Sequence, residues 1–320
     1  MAIYDVFNGD ADGICALLQL RNAQPADSQL ITGVKRDIKL LDKVQAVAGD
    51  TVNVFDISFD KNRQGVEAAL AAGATVFYVD HHHAGEIPVH PNLTTIINIA
   101  ADVCTSLLIN GHLKGQFSQW ALVGAFGDNL KNSAQALAKT MSLTGDELER
   151  LENLGIYMNY NGYGSSVEDL HFAPDQLYRS MITYKTPLEF MVDAKDTFQH
   201  LEQGYEEDMY SATHIAPEFS NDNVAVFVFP DEPWARRVSG VYGNDLANQF
   251  SSRGHAVVTE KPNGNYLVSV RAPLNNKTGA DELCRRFTSG GGRAAAAGIN
   301  ELPAAQLPDF IEQFNQFYSA

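Results

Sequence analysis

The stretch Thr75-Val76-Phe77-Tyr78-Val79-Asp80-His81-His82-His83 passes from an apolar, β-branched and aromatic run directly into one acid and three imidazoles. Such a run reads as a buried strand, and its polar tail falls at the strand's carboxyl end. Two more strands end the same way. Ile3 to Phe7 runs into Asn8-Gly9-Asp10-Ala11-Asp12-Gly13, and Val52 to Ile57 carries Val54-Phe55-Asp56. Further strands are expected at Leu30–Val34 and Thr95–Ile99. Between them lie amphipathic stretches, expected as helices over Gly13–Asn22, Ile38–Val47 and Lys61–Ala72, the last closed by Gly73 as its C-cap. Strands alternating with helices of this length predict a parallel sheet covered on both faces. Ligands of such sheets bind beyond the carboxyl ends of the strands, which is where the acids and imidazoles lie.

From Thr105 to about Leu154 the pattern is mostly helical and includes Ala121–Phe126, which ends in Gly127-Asp128. Met158–Ser166, rich in Asn, Gly, Tyr and Ser, reads as a loop near a cleft, and Leu188–Tyr210 as one long connecting helix. Alternation then resumes: strand Val224–Phe229, helix Val241–Ser252, and strands His255–Thr259 and Tyr266–Arg271 flanking a Pro262-Asn263-Gly264-Asn265 turn. Helices over Ala280–Phe287 and Ala304–Tyr318 complete a smaller domain. The expected organisation is a motif-bearing domain over 1–187, a helical connector over 188–215 and a mixed α/β domain over 216–320, facing each other across a cleft.

The chain has 320 residues, 45% of them hydrophobic, and a formal net charge of −16. That charge argues against wrapping long nucleic acid, which needs a broad basic surface, and favours a small anionic ligand. Cys15, Cys104 and Cys284 are dispersed and form no C-x-x-C pair, so a reducing, cytoplasmic setting is expected. Neither a signal peptide nor a membrane-spanning run is read. No patch points to a dimer, although a homodimer is compatible with the sequence.

Carboxylates gathered at one sheet edge repel one another unless cations neutralise them. The clusters at Asp10-Ala11-Asp12, Asp56, Asp80-His81-His82-His83 and Asp128 therefore suggest a divalent-metal centre, and a mixed carboxylate and imidazole set suits manganese. The string beginning at Asn8 imitates the start of a calcium loop, but its twelfth position is Gln19 rather than Glu.

In this order, Asp10-Ala11-Asp12-Gly13, Asp56, Asp80-His81-His82 and Gly127-Asp128 resemble the motifs of the DHH phosphoesterase superfamily. Gly290-Gly291-Gly292-Arg293-Ala294-Ala295-Ala296-Ala297-Gly298 resembles the glycine-rich signature of the DHH-associated C-terminal domain. The resemblance implies two Mn2+ ions, with Mg2+ or another divalent ion as the alternative. Asp10 would hold one ion and Asp12 the other, Asp56 would bridge them, and His81 and Asp128 would complete the second. Asp80 would orient His81, while His82 would approach the substrate phosphate or its leaving group. Arg271, Ser269, Gly290, Gly291, Gly292 and Arg293 would bind substrate, the glycines as a loop whose N–H groups approach an anion. Two positions depart from the family pattern: Asn8 and Arg293 stand where histidines are usual. The implied activity is manganese-dependent hydrolysis of short linear ribonucleotides such as pGpG, as in the nanoRNase-like branch. The alternatives are a cyclic-dinucleotide phosphodiesterase, a nucleotide 3′-phosphatase and a non-catalytic nucleotide sensor.

Overall fold

The computed structural model describes residues 1–319 and divides into two compact units, Met1–Gln203 and Gly204–Ala320. The first unit begins with β1 (Ile3–Phe7), α1 (Ala11–Ala23), β2 (Gln29–Ile31), β3 (Thr51–Phe55), α2 (Phe59–Ala71), β4 (Thr75–Asp80) and β5 (Leu93–Ile97). All neighbouring strands are parallel, in the order β2-β1-β3-β4-β5. Alternation along the strands sends Tyr4, Val6, Val52, Val54, Val76 and Tyr78 into a core shared with Phe59, Val66 and Leu70 of α2. The opposite face meets α1. There Arg21 makes a two-pronged ion pair with fully buried Asp5, at 2.6 and 2.7 Å. Ser28 and Asn53 donate to the same carboxylate, so its buried charge is satisfied from four directions.

Strand order reverses direction at β1, with β2 on one side and β3 on the other. Such a switch point opens a crevice at the carboxyl ends of the two strands. Asp10 follows β1 and Asp56 follows β3, so both flank it.

Six helices follow the sheet: α3 (Thr105–His112), α4 (Ser118–Gly127), α5 (Lys131–Ala138), α6 (Gly145–Asn161), α7 (Pro174–Met181) and α8 (Pro187–Asp193). Helix α9 (Lys195–Thr213) crosses the division between the units. The second unit has β6 (Phe219–Ser220), β7 (Val224–Phe229), α10 (Pro233–Gln249), β8 (Gly254–Glu260), β9 (Tyr266–Arg271), α11 (Ala280–Cys284), β10 (Gly290–Gly292), β11 (Ala296–Leu302) and α12 (Leu307–Tyr318). Its mixed sheet runs β10-β11-β9-β8-β7-β6, with only β7 and β8 parallel. Val224, Val226, Val258, Val268 and Ile299 pack against Phe310 and Phe314 of α12.

Several expected elements are corrected. The helix expected over Ile38–Val47 is a single 3-10 turn at Leu40–Lys43. Asn62 explains it: its side-chain amide donates to the Ile38 carbonyl and its oxygen accepts from Leu41 N–H, diverting groups a helix would need. Met158–Asn161 belongs to α6 and is not loop, because its Met, Asn and Tyr side chains are buried. The long connecting helix is broken at Ala194, whose backbone leaves the helical region. Helix α10 starts at Pro233, well before Val241, since proline at a first turn costs no hydrogen bond. The glycine run at 290–292 is an edge strand paired with β11, not a free loop.

Candidate metal centre

His81 organises the site. Its Nδ1 lies 2.9 Å from the Val103 carbonyl oxygen, which can only accept, so Nδ1 carries the proton and Nε2 presents a lone pair. That lone pair faces Asp56 Oδ1 at 3.2 Å, and Asp12 Oδ2 and Asp128 Oδ2 at 3.9 Å each. Three carboxylate oxygens gathered around one imidazole nitrogen repel one another unless a cation sits among them. Ligand atoms of Asp56, His81 and His82 also lie within 4.8 Å of one another. The donor set of oxygens with one imidazole nitrogen fits a divalent ion such as manganese.

Each acid is aimed by local structure. Asp12, in the first turn of α1, accepts from Thr105 N–H and Ser106 N–H at 2.7 Å each, so the start of α3 fixes its carboxylate. Asp56 adopts a left-handed backbone (φ 59°), which is costly for a side chain with a Cβ, and its Oδ1 accepts from the Thr105 hydroxyl at 3.1 Å. Burial, reinforced by the charges of Asp12 and Asp10, pushes the Asp56 carboxyl well above the ordinary carboxylate range. Asp128 ends α4, and Gly127 lets it come close: a Cβ there would lie 2.3 Å from the Ala11 Cβ and 2.8 Å from the Gly155 carbonyl. Gly13 plays the same part in α1, where a Cβ would meet the Asn8 carbonyl at 2.3 Å. Cys15 and Cys104 are buried beside these acids, and burial first, then Asp12, holds both thiols protonated.

Asp80, at the end of β4, bonds His82 and not His81 as expected: Asp80 Oδ1 lies 2.7 Å from His82 Nδ1. The Val103 carbonyl takes over the orientation of His81, since adjacent residues of an extended chain point in opposite directions. Burial lowers the His82 pKa, but the bond to Asp80 and the charges of Asp80 and Asp56 outweigh it and leave it above the usual histidine value.

Asp10 is placed differently. Its Oδ1 caps α1, accepting from Asp12 N–H and Gly13 N–H at 3.1 and 3.2 Å. Its Oδ2 accepts from the Lys35 ammonium, which also donates to Asn159 Oδ1 at 2.8 Å. Burial opposes the charge on Lys35, but Asp10, Tyr163 and Asp128 more than offset it. Asn8 donates through Nδ2 to the Lys35 carbonyl, while its buried Oδ1 accepts nothing. Sequence reading missed Lys35, Asn159, Thr105 and Val103. No local signal marks them, for Lys35 is one lysine among several and Val103 contributes only its backbone.

In the second unit, Ser269 and Gly291 lie across from Gly298 on opposite sides, and Arg271 pairs in register with Ala296. Ser269 is buried, and Arg293 sits in the turn joining β10 to β11. These residues share one end of the sheet. The Arg271 guanidinium donates to Asn244 Oδ1 at 2.6 Å and to the Val270 and Gly240 carbonyls at 3.2 Å each.

Residues 221–320 match the family described as the DHHA1 domain. No curated protein sequence matches the chain. Among solved structures, an exonuclease RecJ bound to manganese superposes with a TM-score of 0.62 at 16% identity, covering 99% of this chain and 90% of that one. A pGpG-specific phosphodiesterase, PggH from Vibrio cholerae, gives 0.58 at 17% identity, covering 100% and 99%. RecJ from Thermus thermophilus with Mn2+ gives 0.57 at 16%, and this chain spans 52% of its length. Residues 221–320 thus carry the DHHA1 domain match, and the chain as a whole shares the two-domain fold of these solved structures.

Proposed function

We propose that the protein hydrolyses short linear ribonucleotides, foremost diribonucleotides such as pGpG, to mononucleotides with the help of divalent manganese. The observation that carries the metal-dependent chemistry is the Nε2 lone pair of His81 held among Asp12, Asp56 and Asp128. A short substrate is favoured by the net charge of −16, which works against holding a long polyanionic strand. The chain-long likeness to PggH, a protein described as pGpG-specific, supports the same choice.

Asp12, Asp56, His81 and Asp128 would hold the ion. When bound, a divalent ion supplies Lewis acidity toward the phosphoryl oxygens and a nucleophilic water at neutral pH. The Thr105 and Ser106 N–H groups keep Asp12 oriented, and the Val103 carbonyl keeps the His81 Nδ1 proton in place. Asp80 accepts from His82 Nδ1–H, which leaves His82 Nε2 to donate a proton to the departing ribose oxygen. Its raised pKa keeps more of His82 protonated near neutrality than an unperturbed histidine. In the second unit, Ser269, Arg271, Gly290–Gly292 and Arg293 would form the substrate-binding end of the sheet.

The test is a substrate panel with manganese: linear and cyclic dinucleotides, a 3′,5′-bisphosphate nucleotide and a long single-stranded RNA. Linear diribonucleotides should turn over fastest. Intact dinucleotides alongside digestion of the long strand would overturn the assignment, and so would preference for the cyclic or bisphosphate compound. His81→Ala should abolish the activity.

A further inference from the structure

The site holds two kinds of acid. Asp12, Asp56 and Asp128 converge on one imidazole nitrogen, whereas Asp10 caps α1 through Oδ1 and meets the Lys35 ammonium through Oδ2. We propose that the Lys35 ammonium is a built-in cation that takes the place of one of the two metal ions, so that the centre binds a single divalent ion between Asp12, Asp56, His81 and Asp128. This rests on the proposed metal centre and specifies its occupancy.

Four observations support it. First, the surroundings of Lys35 Nζ suit an ammonium. One N–H goes to Asp10 Oδ2 and one to Asn159 Oδ1, and the Tyr163 ring lies 5.3 Å from Nζ, the geometry of a cation–π contact. A hard divalent ion prefers oxygen ligands and gains nothing from a ring face. Second, the backbone of Lys35 is fixed from both sides. Its N–H donates to the Gly162 carbonyl at 2.8 Å, and its carbonyl accepts from Asn8 Nδ2 at 3.2 Å. Third, Asn159 is only 2% exposed. Withdrawing the ammonium would leave its buried Oδ1 without this donor, at a cost of roughly 1–3 kcal/mol. Fourth, Asn8 is turned so that its amide nitrogen serves the lysine carbonyl, which holds the Lys35 main chain beside Asp10.

The chemical consequence is a fixed positive charge beside a titratable metal site. An ammonium neutralises Asp10 and attracts a phosphoryl oxygen, but it does not make water nucleophilic as a bound ion does. Metal dependence should therefore be that of one site.

The experiment is manganese stoichiometry by isothermal titration and elemental analysis, with electron paramagnetic resonance of the loaded protein. Wild type should bind one ion per chain and show the spectrum of an isolated Mn2+ ion without exchange coupling. Lys35→Met, which keeps the length of the side chain but removes its charge, should admit a second ion and a coupled spectrum. Lys35→Gln provides the same comparison should the methionine variant fold poorly. Two coupled ions in wild type would overturn this inference while leaving the proposed function standing. One ion in every folded variant would show that Lys35 is not what excludes the second. If wild type binds no ion, the metal centre and the proposed function fail together.

Discussion

Asp56→Asn separates a charged metal cage from a merely structural acid. Asn tolerates the left-handed backbone that Asp56 adopts at φ 59°, and it can still accept from the Thr105 hydroxyl. The substitution therefore removes charge and little else. Asp56 Oδ1 lies 3.2 Å from His81 Nε2, and Asp12 and Asp128 each place an oxygen 3.9 Å from the same atom. Both acids thus stand no more than about 7 Å from Asp56, where each like-charge pair costs about 2 kcal/mol at an effective dielectric near 20. The metal-free variant should be more stable than metal-free wild type by about 2–4 kcal/mol near neutral pH, which is a rise of ~5–15 °C in the melting of the first unit. The pH dependence has a definite sign. The folded Asp56 carboxyl lies above its unfolded value, so wild type loses stability as pH rises from about 4 through that raised value. The two proteins should therefore melt alike in acid and diverge as the buffer becomes more basic. Manganese should reverse the ranking by stabilising wild type and barely moving the variant. Differential scanning calorimetry with chelator and then with manganese reads all of this. A variant destabilised without metal, yet still raised by manganese as much as wild type, would refute the cage.

Asp80→Asn should lower kcat by roughly 10²–10⁴ with little change in KM, because it removes the partner that orients His82 Nδ1–H, and it should shift the basic arm of the rate profile to lower pH. An unchanged pH profile would exclude Asp80 from positioning His82. Gly127→Ala puts a methyl group 2.3 Å from the Ala11 Cβ, so it should destabilise the first unit by about 1–3 kcal/mol and weaken manganese binding as Asp128 is displaced; titration calorimetry on the folded variant checks the second effect. His255 in the second unit is held down to about 4 by burial and by Arg253, whose Nε donates to its Nε2 at 3.1 Å. A histidine depressed in the folded state favours unfolding as pH falls from about 6.5 toward that value. Melting of the second unit should therefore drop over that window, and His255→Gln should flatten the drop.

The strand periods were the most legible part of this protein. Val224–Phe229 and Tyr266–Arg271 lie where alternation and their turn residues put them, because both are set by neighbours along the chain. The motifs at Asp10–Asp12, Asp56, His81 and Asp128 were legible for a related reason. Parallel strands bring their carboxyl ends to one edge, so the residues that follow β1, β3 and β4 gather there without further information, while Asp128 arrives from the end of α4. Where a distant side chain intervened, local reading failed. Asn62 dismantled the helix expected at Ile38–Val47, and β11 drew the glycines into a sheet.

The sequence alone thus determined the order of elements, the kind of sheet and the acids that meet at its edge, since periodicity and parallel connection are properties of short stretches. Only the tertiary structure decided how those acids are used. It set the Val103 carbonyl against His81, gave Asp80 to His82 and brought Lys35 onto Asp10. Each of these is a contact with a group whose position depends on several elements packing together. Charge and hydrogen bonding act through space over a few ångströms, and separation along the chain carries no record of that distance.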